Sequence, residues 1–215
     1  MICVSIPEKN TDKCLAMIES SEMAEIRIDL AGFNESEVRR IFSKSDKPLV
    51  ATCRPEITED KLRVKLLKAA IDEGADYVDV EFDATKEVKP ELIEYAKTHN
   101  CKVIISYHNF TDTPDKTELY AIIDSSFIEG ADIVKIATTA QCESDCARIL
   151  SLYEHYPSNN LVALAMGEVG KITRVANLFL GSPFTFASIS EEQKTASGQL
   201  TVSEINIIKN IIRKV

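Results

Sequence analysis

Nowhere do these 215 residues offer the roughly 20 consecutive apolar residues that a membrane-spanning helix needs. The start, Met1 to Pro7, has no basic segment and no long apolar run, so no secretory signal is expected. Nor is there a basic tail or cluster. The net charge is −9 and is spread along the chain, which makes nucleic acid and anionic membrane poor partners. Neither GxGxxG nor GxxxxGK[ST] occurs, so the glycine-rich turn of an open nucleotide-binding sheet is missing. Six cysteines stand at 3, 14, 53, 101, 142 and 146 without a CxxC pair. Cys142 and Cys146 have the i,i+4 spacing of one helix face, but no histidine lies at a ligand-like spacing from them. Reduced cysteines used as small apolar residues in a soluble cytoplasmic protein are the simpler expectation.

What is present is a cadence. At 45% hydrophobic, the chain can bury one substantial core, and a single domain over residues 1–215 is expected. Short β-branched, apolar runs begin near Ile2, Ala24, Leu49, Tyr77, Lys102, Ile133, Leu161 and Phe184, with starts 22 to 31 residues apart. Between them lie segments with helical apolar spacing. One runs from Thr58 through LRVKLLKAAIDEG to Gly74, with Thr58 as a capping residue. Another opens at Thr113-Pro114 and ends at Gly130, and a last one carries Ser203, Ile205, Ile208, Ile211 and Ile212. Strict strand–helix alternation implies a parallel sheet, and eight units in this length fit an α/β fold, a single-domain (β/α)8 TIM barrel.

Alternation along a strand then places charges where a core should be. Glu25, Arg27 and Asp29 share one face, as do Thr52 and Arg54, Asp79 and Glu81, and Ser106 and His108, while Lys135 falls in line with Ile133 and Ala137. With the apolar sets under the helices, these groups project toward the barrel axis near the strand C-terminal ends. Buried charge costs several kcal/mol unless paired. Each residue alone has an ordinary explanation: Lys135 as an ion-pair partner of Asp79 or Glu81, His108 as a hydrogen-bonded structural histidine, Met166 as core. Both signs gathered on several strands, at the end where barrels keep their active sites, fit a site better.

At these same positions the chain resembles the type I 3-dehydroquinate dehydratases of the shikimate pathway. Glu25, Arg27 and Asp29 resemble the family's E-x-R-x-D. Thr52 to Arg54 is similar to its third-strand arginine motif, and Asp79 with Glu81 to its fourth-strand acidic pair. Ser106, His108 and Phe110 resemble S-x-H-D-F, and Asp132 to Ala137 the segment of the Schiff-base lysine. Met166-Gly167, Arg174 and Gly181-Ser182 follow the family spacing, and Thr195 to Gln199 resembles its S-A-P-G-Q loop. The chain departs from the pattern at Asn109, at Thr195 for serine, and at Ser197 for proline, which suggests a more mobile loop. Thr58 stands where several members carry a glutamate that orients the histidine. The carboxylate that serves His108 is therefore open among Glu56, Glu59, Asp79 and Glu81.

The resemblance implies removal of water from 3-dehydroquinate to give 3-dehydroshikimate, with Lys135 forming an imine and His108 moving protons. It implies that Arg174 grips the substrate carboxylate and that Glu25, Arg27 and Arg54 hold ring hydroxyls or each other. Ser5 adds a hydroxyl contact, Met166 and Phe186 line the site, and Thr195 and Gln199 reach in from a lid at residues 190–199. An imine is itself the electron sink, so no metal or organic cofactor is called for. The attacking amine must be neutral; burial among cations favours that form and nearby acids oppose it. By analogy alone, the chain is expected to be a homodimer. Two rivals remain at this point: a class I aldolase of a phosphorylated sugar, with Gly181-Ser182 cradling phosphate, and a catalytically silent barrel that binds a small acid.

Overall fold

Every one of the eight expected runs pairs as a strand: β1 Ile2–Ile6, β2 Met23–Arg27, β3 Leu49–Thr52, β4 Tyr77–Glu81, β5 Lys102–His108, β6 Ile133–Thr139, β7 Leu161–Met166 and β8 Thr185–Ala187. All ladders are parallel, in the order β7-β6-β5-β4-β3-β2-β1-β8. The computed structural model describes residues 1–156 and 160–213. Helices cross between the strands: α1 Thr11–Glu19, α2 Ile28–Ala31, α3 Glu35–Phe42, α4 Asp60–Asp72, α5 Val88–Thr98, α6 Lys116–Glu129, α7 Glu143–Leu150, α8 Gly167–Leu180 and α9 Val202–Arg213. The result is the expected (β/α)8 barrel, nearly closed.

Alternation sorts the core into two parts. Val4, Ile26, Ala51, Val78, Val80, Val103 and Ile105 pack outward beneath the helices. Cys3, Met23, Val50, Ile104, Ile133, Val162, Phe184 and Phe186 fill the barrel interior, with Tyr77 packed against them. Edge-on ring contacts from Phe184 to Tyr77 at 6.0 Å and to Phe186 at 5.5 Å close the lower lumen. The luminal charges therefore sit on an apolar floor, near the strand C-terminal ends.

Among the described residues no ladder joins β7 to β8, and the open seam is closed by side chains instead. Thr173 Oγ1 accepts the Ala165 N–H at 2.7 Å, Tyr153 Oη accepts the Ala163 N–H at 2.8 Å, and Asn177 Nδ2 donates to Ala163 O and Thr185 Oγ1, both at 3.4 Å. Buried backbone groups need such partners, at about 1 kcal/mol net each. Small residues let α8 come this close. A Cβ on Gly170 would stand 2.4 Å from Ala165 O, so only glycine fits.

Several local expectations are corrected. Asp29 lies on the helical turn α2 rather than on β2, and Gly32 at φ +70 ends that turn. Thr58 does not cap α4, whose N-cap is Glu59. Asp115 rather than Thr113 caps α6, accepting the Glu118 N–H, because the Thr113 hydroxyl is engaged with Thr138 and Thr139 O. Cys142 is exposed at the N-cap of α7 whereas Cys146 is buried, so the two do not form one helix face. On α9, Ile205 is buried while Ile211 and Ile212 are exposed.

Candidate active site

The mouth of the barrel holds a cavity of about 260 Å³. Every residue expected of the site lines it: Ser5 from β1, Glu25 and Arg27 from β2, Arg54 after β3, His108 from β5 and Lys135 from β6. Met166 of β7, Arg174 of α8, Phe186 of β8, and Thr195 and Gln199 of the following loop complete the lining. Glu81, Phe110, Ala137, Leu164, Ile57 and Ala196 also contribute. Of these, Leu164 was readable from its alternation with Met166. Ile57 and Ala196 carry no sequence signal, because apolar loop residues look alike whether or not they face a cavity.

Lys135 is buried, only 6% exposed. Its Nζ donates to Asp79 Oδ2 at 3.1 Å, lies 3.8 Å from Glu25 Oε1, and sits 4.1 Å above the centre of the Phe186 ring. Carboxylates and an aromatic face together hold the amine in place. Glu25 is fixed in turn by the hydroxyls of Ser5 (2.6 Å) and Thr52 (2.9 Å). Burial alone would raise its carboxyl, but Lys135 and Arg27 outweigh that and hold it below the ordinary value. Asp79 behaves likewise: burial pushes up, while Arg54 and Lys135 keep it well below the ordinary carboxylate range. Arg27 is clamped by both oxygens of Asp29, at 3.0 and 2.6 Å, and so remains paired although Asp29 has left the strand.

His108 stands between a base and a cation. Its Nδ1 is 3.0 Å from Glu81 Oε2. Guanidinium nitrogens of Arg54 approach both ring nitrogens at 3.2 Å, and Arg54 is also ion-paired with Glu81 and Asp79. Burial first, then the charges of Arg54 and Lys135, push the imidazole well below its usual value, so it is neutral at pH 7. Of the four carboxylates left open by the sequence, Glu81 is the one in contact with the ring. Glu56 lines the cavity too but is exposed and makes no hydrogen bond to the ring, Glu59 is exposed, and Asp79 is taken by Lys135, Arg54 and Ser106.

Arg174 differs from the other cations. It is 2% exposed, and among the described residues no carboxylate lies within salt-bridge distance. Its Nη2 donates to Ser197 O at 3.2 Å, and its Nε has no hydrogen-bond partner. Burial pushes it down to about 10, so it still carries its charge at pH 7. A buried, unneutralised guanidinium facing a cavity has the chemistry to take an anion, and its planar fork matches the geometry of a carboxylate.

The model of one protein family, type I 3-dehydroquinase, matches residues 2–214. The chain belongs to the type I 3-dehydroquinase family. Among the relatives of this type I 3-dehydroquinase is 3-dehydroquinate dehydratase of Pyrococcus abyssi, 37% identical over 201 residues, covering 90% of this chain and 88% of that one. The enzyme of the same name from Dehalococcoides mccartyi strain BAV1 is 34% identical over 212 residues, covering 95% and 92%. Among solved structures, type I 3-dehydroquinate dehydratase of Clostridium difficile, crystallised with covalently modified comenic acid, superposes with a TM-score of 0.86 at 28% identity, covering 99% of this chain and 92% of that one. The Aquifex aeolicus 3-dehydroquinate dehydratase gives 0.83 at 26% identity, with full coverage of both chains.

Proposed function

We propose that this type I 3-dehydroquinase converts 3-dehydroquinate to 3-dehydroshikimate and water in the shikimate pathway, through an imine on Lys135. The observation that carries the reading is the pairing, in one cavity, of a buried lysine with a buried guanidinium that has no carboxylate partner. The first suits a ketone and the second a carboxylate, and the substrate has both.

Lys135 Nζ gives a proton to the neutral His108 and attacks the ketone carbon to form a carbinolamine; His108 returns that proton to the carbinolamine hydroxyl, which leaves as water and yields an iminium. The iminium drains electrons from the adjacent carbon, so His108 can take its proton and leave an enamine. The enamine pair then expels the hydroxyl one carbon further on, which leaves as water with a proton from His108. Hydrolysis frees the enone and restores the amine. The net change is one water lost, and no electrons enter or leave. A neutral imidazole serves proton abstraction at pH 7 because only that form has the lone pair. Arg174 binds the carboxylate; Glu25, Arg27 and Arg54, with Ser5, face ring hydroxyls; Met166 and Phe186 supply apolar walls; and Thr195 and Gln199 close the site from the loop. A phosphorylated-sugar aldolase has less support, since Arg174 faces the same cavity as Lys135 and fits a carboxylate.

Borohydride added with 3-dehydroquinate is expected to leave a ligand mass on Lys135 and on no other lysine, and absorbance of the conjugated enone should rise without it. Labelling elsewhere would remove Lys135 from the mechanism. We place the enzyme in the cytoplasm, a reading supported by six unpaired cysteines. We also propose a homodimer. Its support is a line of exposed apolar side chains on α8, Val169, Ile172 and Leu180, that share one helix face. Sedimentation equilibrium should give twice the 23.9 kDa chain mass, and a monomer mass would discard the dimer.

A further inference from the structure

The carboxylate in contact with His108 comes from the neighbouring strand, not from the segment after β3. Glu81 pairs in register with Ser106, and His108 follows two residues later on the same luminal face, so the two side chains converge at the strand ends. Both are largely buried, and Nδ1 to Oε2 is 3.0 Å. Four residues after Arg54 stands Thr58, which offers no carboxylate, and its neighbours Glu56 and Glu59 are exposed. An ionised carboxylate only accepts hydrogen bonds, so the nitrogen it touches must carry the ring proton. A guanidinium only donates, but Arg54 nitrogens stand 3.2 Å from both ring nitrogens and so favour neither tautomer; the Glu81 contact at Nδ1 is what distinguishes them. Arg54 also pairs with Glu81 and so holds that carboxylate in place.

We infer that Glu81 is the positioning residue of His108: it accepts the Nδ1 proton, fixes the ring tautomer and leaves Nε2 as the base. A carboxylate borne by a strand is held by the barrel itself, so the imidazole is set before substrate arrives. The kinetic part of this inference rests on the dehydratase reading above, whereas the tautomer does not.

The test uses the full chain with ¹⁵N-labelled histidine. There are three histidines, and His99 and His155 are exposed, so His108 is separable. Without substrate, near pH 7.5, His108 is expected as the Nδ1–H form in the wild type, in Glu56→Gln and in Glu59→Gln, and as a tautomer mixture in Glu81→Gln. With 3-dehydroquinate, Glu81→Gln should lose about 10²-fold in kcat with KM within a few-fold. It should keep the borohydride-trapped mass on Lys135, and Glu81→Asp should recover part of kcat. A wild-type ring protonated at Nε2 overturns the inference, as does a tautomer that shifts in Glu56→Gln or Glu59→Gln and not in Glu81→Gln. If Glu81→Gln fails to fold by circular dichroism, the wild-type, Glu56→Gln and Glu81→Asp spectra decide. A wild type that forms no Lys135 adduct counts against the dehydratase reading and leaves the tautomer result standing.

Discussion

Arg174 is a residue whose burial runs against the interest of stability. Desolvating an ion costs several kcal/mol, and here a hydrogen bond to Ser197 O is a thin offset. Substitution by an apolar side chain of similar length removes that cost together with the anion receptor. Arg174→Met is therefore expected to raise KM for 3-dehydroquinate on the order of 10²-fold or more, as loss of a buried charged partner does. Its melting temperature should stay level or rise. An unchanged KM would take Arg174 away from the carboxylate, and a large fall in Tm would mean that the guanidinium supports the fold. In the sequence Arg174 is one polar residue within a helix, distinguished only by its family spacing. Its burial depends on the loop laid over it, which no local pattern reports. Lys135, in contrast, was legible because a lysine inside an apolar strand already conflicts with its surroundings.

At the scale of elements, the loop between β8 and α9 is packed against α8. Ser197, standing where relatives of this family carry proline, uses its carbonyl to accept from Gly167 N at 3.3 Å and from Arg174. The chain then returns to the barrel through a parallel bridge from Ser188 to Thr201. Gln199 is buried and its Oε1 accepts the Thr195 N–H at 2.8 Å, so the two residues brace each other over the cavity. Gly198 makes the close approach possible: its φ is +68, and a Cβ there would stand 2.1 Å from Gly167 O. Gly198→Ala is expected to lift the loop, raise KM several-fold and open the 190–199 segment to limited proteolysis, with little change in global Tm. A variant as protease-resistant and as tight for substrate as the wild type would show that the packed-down loop is not needed. Composition suggested a loop here, and the family resemblance suggested a lid. The contact with α8 was invisible because it joins backbones about 30 residues apart.

For the whole molecule, the luminal charges make stability depend on pH in a calculable direction. His108 has an unfolded value near 6.5 and a folded one well below it, so as pH falls below 6.5 the unfolded chain takes up a proton that the folded one refuses. Stability should then decline by at most about 1.4 kcal/mol per pH unit, or roughly 3–6 °C in Tm for a chain of this size. Asp79 and Glu25 have depressed folded values, so their contribution is complete above the ordinary carboxylate range near 4 and is lost as pH falls below it. Melting curves between pH 7.5 and 5 should show the first decline, and His108→Asn should flatten it. A Tm that rises toward pH 5 would contradict a neutral buried imidazole.

Strand number, strand faces and the inward direction of the charges were determined by the sequence alone, because the alternation of apolar and polar residues repeats every two positions and depends only on neighbours along the chain. The cap of α6, the loss of Asp29 from β2, the side-chain closure of the β7–β8 seam and the choice of Glu81 over Glu56 or Glu59 were decided only in the tertiary structure. Each of these turns on which of several chemically equal groups lies within about 3 Å of a partner, and that distance exists only once the strands have closed around a common axis.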